Sequence, residues 1–413
     1  EELSALGRLE TTYFVLVSDH GHLGGEEANL SRFDIANEFF HEQRAVRPDG
    51  TWIGGGLGLS VRQHRYSNTH SDDAGNRFVF VDGDSDGAAR IFLPKGEYQS
   101  GDWSGPSAPD DLLAYRVSPN HPPVNLPESL AAIQADDDRG CPGHPIDLVL
   151  IKLAENAIGV VTCDRGTAVI ERRPDPACPE RRWQYRYTPV EPLMPGARGT
   201  VVWTPRTEAD CDPLGIVDRV RPGFLAEWHD EQEWLWVTAT SDYPDGVVAL
   251  SRHMFYQANL REIECDYAPD LVVTARRGWF FGVRNTPGTT HGYPLAESMR
   301  ASFFVSGPGV RQGAIVERPC RLVDLTPTLL EMTGTAHDPN WFDGRAIREF
   351  YEPVHPSDRE PPLAMTWSDY DLGGWGRVSY TPKPAYLAQP VSINDPTRFW
   401  DLNNFAYNVI SIG

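Results

Sequence analysis

Asp19 and His20 stand side by side in Ser-Asp-His-Gly, residues 18–21, and His291 stands far downstream in Gly-Thr-Thr-His-Gly-Tyr, residues 288–293. A carboxylate oxygen beside an imidazole nitrogen is a donor pair suited to Zn²⁺ or a similar divalent ion. Gly21, directly after the pair, lets the backbone turn away sharply because it carries no Cβ. Either motif alone also describes a solvated turn. Their meaning comes from the elements around them.

Residues 12–17, Thr-Tyr-Phe-Val-Leu-Val, are β-branched, aromatic or aliphatic without polar alternation. The run is too short for a helix and predicts a strand buried on both faces. Asp19 and His20 then fall just beyond its carboxyl end, where open α/β sheets gather their ligands. Leu3, Leu6 and Leu9 repeat at a helical spacing, interrupted by Gly7, and predict two turns of helix leading into that strand. Downstream, 302–305 reads as a strand, and 324–332 reads as a helix with Asp324 near its start.

Four stretches occur in order: Ser-Asp-His-Gly after an apolar strand; Thr-His-Gly-Tyr; Phe-Phe-Val-Ser-Gly-Pro-Gly at 303–309; and Val-Asp-Leu-Thr-Pro-Thr at 323–328. Together they resemble the alkaline phosphatase superfamily, and Thr-His-Gly-Tyr resembles its type I phosphodiesterase/nucleotide pyrophosphatase branch. The resemblance covers residues 1–25 and 265–350. It implies an α/β fold, with a central β-sheet flanked by helices, and two divalent ions, zinc best suited. It also implies two-metal in-line displacement at the phosphorus of a small phosphodiester or nucleotide pyrophosphate. Asp19 and His20 match the ligand pair of one metal, and His291 the lone histidine of the other. His22 is read as a supporting group rather than a ligand, since the family more often carries an apolar residue there. The chain departs from the pattern in one respect. The family's nucleophile, a strand-end Asp and an Asp-x-x-x-His pair all precede Ser-Asp-His-Gly, and no Asp-x-x-x-His occurs here. The expectation is that these groups lie upstream of Glu1, and that residues 1–413 alone are inactive. Localisation is left open, the family being often secreted or periplasmic.

Residues 26–264 match none of these motifs and predict a β-rich insertion between two parts of the core, 1–25 and 265–350, with 351–413 as a β/helix extension. Within the insertion, 147–154, 157–163, 167–173 and 183–187 predict a β-meander, with Asp164-Arg-Gly166 as a tight turn. Cys163, in one of its apolar runs, is expected to be a buried small hydrophobe, and a bridge between Cys141 and Cys178 is conceivable. Residues 31–45 predict a helix capped by Ser31, with Phe33, Ala36 and Phe40 on one side. Apolar runs at 77–81 and 88–93 flank an Asp-rich turn and predict a hairpin. That turn lacks the glutamate a calcium loop needs at its twelfth position, where Leu93 stands.

A formal charge of −21 over 413 residues argues against a nucleic-acid polymer as partner, because the bulk field repels phosphates. A small anionic ester remains compatible, because bound divalent ions invert the potential locally. No apolar run approaches the 18 residues of a membrane span. Two rival readings stay open: a sulfatase of the same superfamily, although its Cys-x-Pro-x-Arg stretch is absent, and a non-catalytic relative that binds ligands through the aromatic-rich insertion.

Overall fold

The computed structural model describes residues 2–351 apart from 25–29, 42–44, 47–51, 54–55, 64–75, 84–85, 178–181, 198, 207–210, 256–268, 283–287, 340–341 and 343. The chain is mixed α/β and divides into two compact units. The larger, spanning most of 18–302, is built on a nine-stranded sheet. From one edge to the other its strands are His229–Asp230, Trp183–Val190, Thr167–Pro174, Ala157–Val161, Ile146–Ala154, Leu271–Ala275, Ala88–Phe92, Val79–Asp82 and Val61–Gln63. All neighbours are antiparallel except the last pair.

The strand Ile146–Ala154 lies at the centre because both of its faces are apolar, and Leu148, Val149, Leu150 and Ile151 are fully buried. Helices Leu126–Ala131 and Gly246–Phe255 pack on it. From this strand to Trp183–Val190 the chain runs as the expected meander, turning at Gly166 through a positive φ of 80°. The expected hairpin forms from Val79–Asp82 and Ala88–Phe92. Asp82 at its end is buried and pairs with Arg90 at 3.1 Å.

The smaller unit contains residues 1–17 and the described part of 303–398. Phe14–Val17 is a strand, but not a buried one. It pairs antiparallel with Phe303–Ser306, with Val15 opposite Val305 and Leu16 opposite Phe304. Val305 and Phe303 pack on a small core of Met332, Ile347, Phe350 and Tyr351. On the other face Leu16 and Phe304 are 66% and 64% exposed, because the pair has no third strand among the described residues. The helix Leu325–Met332 forms where expected, and its Thr328 hydroxyl is buried between Asp324 O and Ile347 N–H.

Other expectations are corrected. The amino-terminal helix is a single turn, Glu2–Ala5, ended by Gly7 at φ 63°, and Leu6 and Leu9 are exposed. Ser31 does not cap a helix. Ser31–Phe33 is a strand parallel to Trp279–Phe281, and a π-helical turn, Ile35–His41, follows. Asp34 starts that turn by accepting from Asn37 N–H at 3.1 Å. Phe33, Ala36 and Phe40 are nonetheless all buried. Cys163 is exposed, because the strand Ala157–Val161 ends before it, and its Sγ lies 3.6 Å from His144 Nε2. Cys178 and residues 352–413 lie outside the described residues.

Candidate metal centre

Ser18 fixes the start of the first motif. Its N–H donates to Ser302 O at 3.0 Å, and its Oγ accepts from Ser302 N–H at 2.7 Å. Gly21 N–H donates to Ser298 O at 2.8 Å. A Cβ at Gly21 would collide with the carbonyl oxygens of Glu297 and Arg300, so close approach of backbone requires the glycine. Two residues on, Leu23–Gly24 pairs antiparallel with Thr289–Thr290, Leu23 opposite Thr290. Extending that register by one residue sets His22 opposite His291.

His291 is held from behind. Its carbonyl accepts from Gly87 N–H at 2.7 Å. Gly87 has no side chain because the Tyr293 ring occupies that space. Tyr293 in turn donates its hydroxyl to Trp279 O at 2.6 Å. The buried Asp86 packs beside Gly292, whose φ of 84° suits glycine. The turn carrying His291 is therefore fastened to the hairpin and to the strand Trp279–Phe281.

The result is a cluster of three imidazoles and a carboxylate. The rings of His20 and His291 stack with centroids 4.1 Å apart and planes 29° apart. His22 lies 5.1 Å from His20 and 5.7 Å from His291. Asp19 Oδ2 is 3.4 Å from His20 Nε2 and is largely exposed to solvent. His20 Nδ1 lies 2.8 Å from Gly21 O. A carbonyl only accepts, so Nδ1 is the donating nitrogen and Nε2 is the one turned toward Asp19. Desolvation, and then the neighbouring His20 and His22, hold His291 below the usual imidazole range. Neutral imidazoles are the form that binds a metal.

The structure thus brings Asp19, His20 and His291 together, and adds His22 beside them. Among the described residues no three His, Cys, Asp or Glu side chains form a group able to hold one ion. Sequence reasoning did not single out Asp86 or Gly87 as supports of His291. The signal for them is weak, since both sit in a turn whose polar composition explains itself. No protein-family model and no solved structure matches the chain.

Proposed function

We propose that this chain carries metal-binding residues of a hydrolase acting on phosphate esters, a phosphodiester or nucleotide pyrophosphate, in the manner of the alkaline phosphatase superfamily. One observation supports it above the others: Asp19–His20 and His291, remote in sequence, meet in one cluster with their rings 4.1 Å apart.

The donor set fits zinc, with imidazole nitrogens and one carboxylate. The stacking also fits two ions better than one. Two imidazoles on a single tetrahedral zinc, with bonds of about 2.0–2.1 Å, hold their centroids about 5 Å apart. The His20 and His291 centroids are closer than that, 4.1 Å apart with planes 29° apart, so the two rings would serve separate ions. In this reading Asp19 and His20 serve one ion and His291 the other. Ions held there would supply charge stabilisation for an in-line displacement at phosphorus. The protein's share is to hold the donors ready. The Gly21 carbonyl orients the His20 ring through Nδ1, a support that metal-binding histidines commonly have. The Gly87 N–H fixes the His291 backbone. Each ion needs at least three protein donors, so further groups must complete both coordination shells. No nucleophile is assigned among the described residues.

Equilibrium dialysis against zinc, followed by metal analysis, tests the reading. His20→Ala and His291→Ala should each weaken binding by more than the about tenfold that loss of a supporting hydrogen bond brings. Zinc affinity equal in wild type and both variants would refute it.

A further inference from the structure

The strand Thr167–Pro174 carries a guanidinium that has no counter-ion among the described residues. Arg172 is 4% exposed. Its Cζ lies 3.7 Å from the Phe255 ring centroid and 4.2 Å from that of Trp183, so it is gripped between two aromatic faces. Its Nε is buried with no hydrogen-bond partner. Among the described residues no carboxylate pairs with it, whereas its neighbour Arg186 is paired with Glu171 at 2.6 Å.

A second cation stands on the same face. Lys152, Ile158 and Ile170 form one row across three strands, and Arg172 is two residues beyond Ile170. The Lys152 ammonium is 5.6 Å from the same Phe255 ring, and among the described residues it too has no ion-pair partner. The nearby acid Glu231 is already bound to Arg252 at 2.7 Å and to the Tyr185 hydroxyl at 3.1 Å. Glu155 acts on both cations only at a distance, from an exposed turn.

Taking a charge out of water without a partner is costly. Cation–π contact returns part of that cost at an individual site. Placing two cations side by side adds to it. Such a pair is stable when an anion from solution completes it, and a guanidinium binds oxyanions through two parallel N–H donors.

We propose that Arg172 and Lys152, walled by Trp183 and Phe255, form a binding site for an oxyanion carried by a phosphate or a carboxylate group. The site stands apart from the histidine cluster. Gly87 bonds both His291 O and Ala275 N, and Ala275 pairs with Ile146 at one end of the central strand. Lys152 is six positions along that strand, about 20 Å away at 3.3 Å per residue. The inference does not depend on the proposed hydrolase.

The test is thermal unfolding of the full chain in rising inorganic phosphate, and separately in rising acetate, with sodium chloride adjusted to constant ionic strength. The expected result is a saturable rise in Tm with one of the two anions, and that anion identifies the group carried by the natural ligand. Arg172→Met, which keeps the apolar stem and removes the charge, should abolish the rise. Lys152→Met, at a less buried position, should fold normally and weaken the apparent affinity by about tenfold, the value of one charge-assisted contact. Arg186→Met, which removes a paired arginine on the neighbouring strand, should leave the response unchanged. The proposal is overturned if neither anion acts beyond matched chloride. It is equally overturned if Lys152→Met and a folded Arg172→Met respond as wild type does.

Discussion

Gly87→Ala is the sharpest test of how the candidate centre is supported. Gly87 has no positive φ, so alanine suits its backbone. The new methyl group would meet the Tyr293 ring at its near carbons rather than at a flexible tip. The ring has no easy escape, because its hydroxyl is tied to Trp279 O at 2.6 Å and the residue is buried. Overpacking of this kind costs about 1–3 kcal/mol. Displacing Gly87 also stretches the 2.7 Å bond from its N–H to His291 O, worth a further 0.5–1.5 kcal/mol or so. Replacing glycine returns roughly 0.4–1 kcal/mol by restricting the unfolded chain. The expected net loss is about 0.5–4 kcal/mol, centred near 2, read as a shift of the urea midpoint at unchanged m-value. The His291 ring resonances should shift with it. Tyr293→Ala is costly by itself, but in that background Gly87→Ala should be neutral or stabilising, because the clash is gone. The cycle then isolates the clash as a coupling energy. A Gly87→Ala protein within about 0.5 kcal/mol of wild type, the scale of an uneventful surface substitution, would refute this account of why the glycine is there.

Asp147→Asn should cost about 2–3 kcal/mol in urea unfolding. The Asp147 carboxylate is buried between Arg165 and the Tyr243 hydroxyl, and the value is set below that of a fully buried pair because Arg165 is a third exposed. Asp230→Ala should cost about 1 kcal/mol by removing the capping box of helix Glu231–Thr238, measured in the same way. Burial holds His253 down at about 3 and pushes Asp270 up to about 7. Between about pH 4 and 6.5 the histidine therefore destabilises the fold as pH falls, while the carboxyl stabilises it, each by about 1.4 kcal/mol per pH unit. Asp270→Asn removes the opposing term, so its stability should fall more steeply with acid than that of wild type; parallel pH profiles would contradict this.

What the sequence revealed and what it concealed follow from the range of the forces involved. The meander from Ile146–Ala154 to Trp183–Val190 was legible because both of its signals are local: apolar runs of strand length, and glycine or aspartate at the turns. The same logic failed at Phe14–Val17. An unbroken apolar run predicts a strand, but only partners remote in sequence decide whether it is covered, and among the described residues one strand pairs with it and one face stays open. At residues 31–41 the helical spacing of Phe33, Ala36 and Phe40 correctly marked buried positions. It could not foresee that Ser31–Phe33 would be claimed by Trp279–Phe281, which moved the helical start to Asp34. The pairing of Asp19–His20 with His291 came from a resemblance between motifs rather than from periodicity. His22, read from the sequence as a supporting group, reaches the cluster for a geometric reason. Its place beside His291 depends on the two-residue pairing of Leu23–Gly24 with Thr289–Thr290, and a slip of one residue there would have turned its side chain to the opposite face. Arg172 and Lys152 were hidden. A cation in a strand reads as its solvent side, and only the helix Gly246–Phe255, whose Phe255 ring lies beneath both cations, makes that side an interior one. Both candidate sites thus owe their chemistry to contacts between segments that are far apart in the chain, and substitutions at the supporting residues, Gly87 and Phe255, should disturb them as surely as substitutions at the histidines or the cations themselves.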